Sequence, residues 1–189
     1  MFYLIVIFIA MILIIGANLL FAATFTLEAL LSMTISVSVA TLSIFLIDAV
    51  TALMVRRLTP KKWYLPGRKL FTVSKKERNF YNKLKIKAWK DKVPELGGFT
   101  SFHKDRLESP SDTAYLERFL IESNFGVIVH LANGIFGILI LFIPFCSMPS
   151  VWIPVFIVNL ILSLMPVAIL RHTSYTLLRL YIRSIKNDC

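Results

Sequence analysis

A chain of 189 residues has room for one domain. Hydrophobic residues make up 57% of it and the mean hydropathy is +0.71, so too few polar residues remain to cover a water-soluble surface and lipid is the solvent for much of the chain. The net charge of +10 would suit nucleic acid, but no zinc ligands or other nucleic-acid motif accompany it.

Residues 2–23 form an apolar run with one Asn (Asn18) and no charge, long enough to cross about 30 Å of hydrocarbon. No Lys or Arg precedes it and it exceeds a typical signal core, so it reads as a span rather than a signal peptide. Residues 30–55 are the second span, rich in Ser and Thr that suit close helix packing. This span carries Asp48, which is either a functional intramembrane carboxylate or a helix-end residue paired with a nearby Arg or Lys.

Residues 56–124 follow as a strongly basic segment. All but four of the 21 Lys and Arg lie between Arg56 and Arg118, where they would attract anionic headgroups. Its many aromatics, among them Trp63, Tyr64, Phe71, Tyr81, Trp89 and Phe119, argue against a disordered linker. Residues 74–90 fit a helical face through Phe80, Leu84 and Ala88, or a strand through Leu84, Ile86 and Ala88. The helix, amphipathic and at the membrane surface, is the preferred reading. Residues 94–113 read as loop with a turn at Gly97-Gly98, and Ser111 or Asp112 caps a helix that passes Glu122 and enters the third span.

Residues 125–146 and 151–170 are the third and fourth spans, with Pro144, Pro154 and Pro166 expected to kink or end them. Residues 171–189 read as a further amphipathic helix, with Leu177, Leu178, Tyr181, Ile182 and Ile185 on its apolar side. The first and third connections contain no Lys or Arg, so the positive-inside rule places both termini and the basic segment in the cytoplasm. The fold class is an all-α, multi-pass cell-membrane protein of one domain. It has about four transmembrane helices plus interfacial amphipathic helices in a cytoplasmic loop and tail. Cys146 and Cys189 then face opposite sides and do not pair, and no metal-ligand spacing occurs.

Two constellations carry chemistry. Glu122, Gly126, His130, Asn133 or Gly134, and Gly137 recur every three or four residues, making one polar, small-residue stripe on the third helix. His130 is either a general base or a buried histidine bonded to a neighbouring helix. Glu122 lies about 12 Å from it along the helix axis, too far for a dyad without a third group between them. The second constellation is Trp89, Lys90 and Lys92, joined by Lys104. It is either an interfacial anchor or a grip for an anionic substrate.

From residue 60 to residue 183 the chain resembles the bacterial glycosyl-diaponeurosporenoate acyltransferases of the staphyloxanthin carotenoid pathway. Tyr81, Leu84, Ile86, Trp89, Lys90, Lys92 and Pro94 match that family's aromatic, hydrophobic pair and Trp-Lys-x-Lys-x-Pro type motif. Phe102, Lys104 and Leu107 match its Phe-x-Lys-x-x-Leu element, and Glu122 and His130 keep its Glu–His spacing. The chain departs at Asn124, Phe125 and Val127, where family members carry basic residues and a second Glu. Of the family's pattern after the last span it keeps Pro166 and one Arg.

The resemblance implies transfer of a fatty acyl group to a sugar hydroxyl of a membrane lipid such as a glycosyl carotenoid. His130 would be the base and Glu122 would orient a partner or position the donor. Lys90, Lys92, Lys104 and Arg171 would bind the charged part of an acyl-CoA or acyl-carrier thioester, and Trp89 would shape the entrance. Asp48 and Asn159 are the expected substrate-binding neighbours of His130 from the second and fourth helices. The donor is a substrate, so no resident cofactor and no metal are expected, and the partners are membrane lipid and acyl donor. The rivals are a non-enzymatic membrane scaffold or partner subunit, and another membrane lipid transferase.

Overall fold

The computed structural model describes residues 2–21, 26–90, 93, 109–142 and 148–188. Among them there is no strand. The helices are α1 (Phe2–Phe21), α2 (Leu27–Leu58), α3 (Lys75–Lys83), the single turn α4 (Ile86–Trp89), α5 (Thr113–Phe136) and α6 (Pro149–Asp188). Short 3₁₀ segments occupy Lys61–Tyr64 and Gly137–Phe142. Four stretches, in α1, α2, α5 with its 3₁₀ extension, and α6, are long and apolar enough to cross a membrane.

The boundaries follow local chemistry. Thr26 Oγ1 accepts from the Ala29 amide at the start of α2. At its far end Arg56 and Arg57 lie in the last turn, where cations suit the helix dipole. Asp112 Oδ1 accepts from the amides of Ala114 and Tyr115, so of the two expected caps it is Asp112 that starts α5. Pro149 stands at the first position of α6, where its missing N–H costs nothing. Pro154 and Pro166 do not end that helix, which runs on through residue 188. The expected fourth span and separate tail helix are therefore one element, since each proline removes only a single intrahelical donor.

The chain forms two compact units, Met1–Met54 with Leu131–Leu164, and Val55–His130 with Met165–Cys189. The core of the first unit gathers Ile14, Val37, Ala40, Ile44, Ile140, Val151, Trp152 and Val155. The buried residues of α2 are Val37, Ala40, Ile44 and Thr51, while Ser36, Ser38, Thr41 and Ser43 are half-buried and Ser32 and Thr34 exposed. Thr34 and Thr41 bond their own i−4 carbonyls at 2.8 Å, which satisfies the hydroxyls without a neighbour. Asn18 Nδ2 donates to the carbonyls of Ile14 (2.8 Å) and Ser150 (3.2 Å), tying α1 to the start of α6. Leu4, Phe8, Leu13, Leu20, Leu42 and Leu46 stay exposed, an apolar surface suited to lipid.

Among the described residues the second unit has three small cores. Val73, Tyr81, Ile86 and Ile169 form one, Leu116, Phe119, Leu120 and Leu177 another, and Val127, Val167 and Leu170 a third. Tyr64 is a junction. Its hydroxyl bonds Thr59, its carbonyl accepts from Asn124 Nδ2 at 2.8 Å, and its ring meets Phe125 edge-on at 5.5 Å. Residues 75–89 are helical on either side of a turn at Leu84-Lys85, not a strand, and the two sides of the segment differ. Phe80 and Leu84 are exposed while Tyr81 and Ile86 are buried. The cause is Lys85, whose φ of +51° breaks the helix and rotates α4 against α3.

Candidate functional site

The second unit builds a cationic cluster from three helices. Ser74 Oγ accepts from the Glu77 amide at 3.1 Å and starts α3, and the spacing of this Ser and Glu is that of a capping box. Glu77 then takes the Arg171 guanidinium on both oxygens, through Nε to Oε1 and through Nη2 to Oε2 at 2.9 Å. Tyr81 donates its hydroxyl to Glu77 Oε1 at 2.7 Å, and Arg171 Nη1 donates to the Leu70 carbonyl at 2.9 Å. A guanidinium satisfied in this bidentate way is a fixed clasp between α3 and α6. Arg171, expected to hold donor charge, is engaged by Glu77.

The clasp leaves an electrostatic record. Arg171 holds the Glu77 carboxyl below its ordinary value of 4.5. Burial, with Glu77 alongside, pushes the Tyr81 hydroxyl up to about 12.

Arg78 follows Glu77 in sequence and sits 4.4 Å from the Tyr175 ring centre, with Nη1 donating to the Tyr175 hydroxyl at 3.2 Å. Arg179 approaches the same ring at 5.7 Å. After the left-handed turn at Lys85, α4 carries Lys87 and ends beside Lys90. Lys87, Lys90 and Arg78 all act electrostatically on His172. Trp89 Nε1 donates to the Leu84 carbonyl at 3.0 Å, locking the turn that presents these lysines.

Of the sequence-predicted residues in this cluster, Trp89 and Lys90 are present, while Lys92 and Lys104 lie outside the described residues. Sequence reasoning missed Arg78, Lys87, His172, Tyr175 and Arg179. Only Glu77 carried a local signal, the capping box.

Glu122 and His130, also in the second unit, are half-buried on α5. Ser123 and Asn124 beside Glu122 are buried, and Ser123 Oγ makes no hydrogen bond among the described residues.

The remaining sequence-predicted residues, Asp48 and Asn159, belong to the first unit. Asp48 lies against the Asn159 carboxamide. Asp48 Oδ1, Asn133 Oδ1 and Asn159 Nδ2 are buried with no hydrogen bond among the described residues. Two glycines of the α5 stripe and its 3₁₀ extension lie close to α6 in this unit. A Cβ at Gly137 would lie 2.5 Å from Asn159 Nδ2, and one at Gly134 would lie 3.7 Å from Ser163 Cβ.

The second unit thus offers positive charge for an anion and an imidazole for proton transfer, and the first unit separately holds polar side chains within its apolar core. A family model described as glycosyl-4,4'-diaponeurosporenoate acyltransferase matches residues 60–183. No curated protein and no solved structure matches the chain.

Proposed function

We propose that this chain, which belongs to the glycosyl-4,4'-diaponeurosporenoate acyltransferase family, transfers a fatty acyl group from a thioester to a sugar hydroxyl of a glycosylated lipid. The observation that carries this reading is the family match, which spans both the cationic cluster and the Glu122–His130 part of α5. The family description supports a glycosyl carotenoid as the acceptor.

In this reaction His130 takes the proton of the attacking hydroxyl as its oxygen bonds to the thioester carbonyl. The tetrahedral oxyanion collapses, the C–S bond breaks, and the imidazolium returns the proton to the leaving thiolate. Glu122 orients a partner or positions the donor. Lys90, Lys92 and Lys104 hold the donor's charged part, Trp89 shapes the entrance, and Asp48 and Asn159 contact substrate. Arg171 serves the donor by fixing α3. The partners are membrane lipid and the acyl donor. The termini and the basic segment face the cytoplasm, a reading supported by the absence of Lys and Arg from the first and third connections.

The test is transfer of a labelled acyl group from a thioester to glycolipid by the full chain in nanodiscs, with product identified by mass spectrometry. His130→Ala should lower turnover by about 10²–10⁴-fold while the protein still folds. His130→Gln keeps a hydrogen bond but not the base, so it should be equally slow. Near-normal transfer by the Gln variant would make His130 structural. No transfer by the unaltered chain, with only ordinary phospholipid co-purifying, would favour a scaffold.

A further inference from the structure

We propose that Arg78, Lys87, Lys90, His172 and Arg179 form one binding site for a diphosphate, with the Tyr175 ring as its floor. The inference rests on the proposed function and deepens it, giving the charged part of the acyl donor a chemical class.

Ile86 and Trp89 of α4 pack in one core with Ile169 and Tyr175 of α6, which sets Lys87 and Lys90 on the short helix beside the His172–Tyr175 stretch, and the nearby charges of Lys87, Lys90 and Arg78 all disfavour a charged His172. Arg78 and Arg179 share the Tyr175 ring, at 4.4 and 5.7 Å from its centre. Four permanent cations and an imidazole therefore gather from α3, α4 and α6. Like charges repel, so such a cluster persists only where the scaffold holds it.

The scaffold does hold it. Glu77, the neighbour of Arg78, is clasped by Arg171. Ile86, next to Lys87, is 1% exposed and packs with Val73, Tyr81 and Ile169. The Trp89 indole fixes the α3–α4 turn. A preorganised positive field of this kind selects an anion.

The side chains indicate which anion. A guanidinium fork matches phosphoryl oxygens two at a time, and lysines add point charges. A phosphate monoester carries about −1.5 to −2, fewer charges than the cluster supplies. A second phosphoryl group brings the ligand's charge closer to that of the four cations.

The experiment is calorimetric titration of the full chain, in nanodiscs of phosphatidylcholine, with inorganic diphosphate and with inorganic phosphate. Saturable diphosphate binding, about tenfold or more tighter than phosphate, is expected. Lys87→Gln and Arg78→Gln should each weaken it about tenfold, the loss of one charge-assisted contact. Both side chains are exposed, so these variants should fold, and Arg78→Lys should weaken binding less than Arg78→Gln. Lys61→Gln, on the 3₁₀ turn, should change nothing.

Repeating the titration with phosphatidylglycerol in the nanodisc separates a lipid headgroup from a free ligand. A headgroup that competes through Lys87, with no diphosphate binding in phosphatidylcholine, overturns the proposal. So does absent saturable binding, equal affinity for phosphate and diphosphate, or indifference to Lys87→Gln. The His130→Gln variant should bind diphosphate as the wild type does. Binding without any acyl transfer would sink the proposed function and leave the site standing. Transfer without diphosphate binding would do the reverse.

Discussion

A methyl group added at Gly137 would meet Asn159 Nδ2 at 2.5 Å, and Asn159 is only 6% exposed. The carboxamide must then shift inside a packed interior, so Gly137→Ala should cost about 1–3 kcal/mol, the usual scale of overpacking. Gly134 gives the contrasting case. Its added methyl would meet Leu160 Cδ1 at 3.3 Å, the far end of a side chain that can turn away. Gly134→Ala should change stability by less than about 1 kcal/mol, helped by the better helix propensity of alanine. Thermal unfolding in detergent would measure both. Adding Asn159→Ala to Gly137→Ala should recover part of the loss, because the two changes share one contact. Simple additivity would show that the collision does not govern the cost.

At the scale of elements, the Glu77–Arg171 clasp joins α3 to α6 and Tyr81 completes it. Glu77 has a folded value below 4.5, so its stabilisation is full above 4.5 and is lost as pH falls through the folded value. Tyr81 has the opposite sign. Its value rises from 10.0 to about 12, so its contribution is full below 10.0 and is lost as pH rises through about 12. Denaturant unfolding near pH 7 should show Glu77→Gln destabilised by about 1–3 kcal/mol, since Arg171 loses a charged partner. That difference should shrink as the wild type is taken below pH 4.5. A constant difference across the acid range would mean that Glu77 acts through packing alone. Lys85 is the other decisive feature of this region. With φ at +51°, Lys85→Gly should be tolerated, whereas Lys85→Val should destabilise the turn, because a β-branched residue is poorly accommodated there.

For the whole molecule, the distribution of charge is what the proposed orientation rests on. Lys and Arg are confined to residues 56–118 and to the stretch after residue 170. The inward-facing arrangement keeps every one of them on a single side of the membrane. In a background with Cys146 and Cys189 replaced by Ser, Thr26→Cys should react with an impermeant maleimide added to intact cells. Lys61→Cys should react only after permeabilisation. The reverse pattern would move the cationic cluster and any donor site outside the cell. Among the described residues one apolar stretch precedes Thr26, one lies between Thr26 and Lys61, and two follow Lys61, and their exposed leucines and phenylalanines suit lipid.

Length, composition and local chemistry sufficed for the four apolar helices and the helix start at Asp112. Each depends on residues close together along the chain, as a capping carboxylate and its amides do. The same holds for the Trp89–Lys90 motif and the Glu122–His130 spacing that carry the family resemblance.

The cationic cluster was a tertiary decision. Glu77 and Arg171 are 94 positions apart, and Arg78 meets Tyr175 across 97, distances over which no periodicity conveys a contact. The break within residues 75–89 was hidden for a different reason. A lysine in a left-handed turn has none of the signal a glycine would give, so the turn that buries Ile86 against Ile169 is visible only in the folded backbone. Asp48 and Asn159 stood on separate apolar runs, and only packing of α2 and α6 within one unit brought the two side chains together.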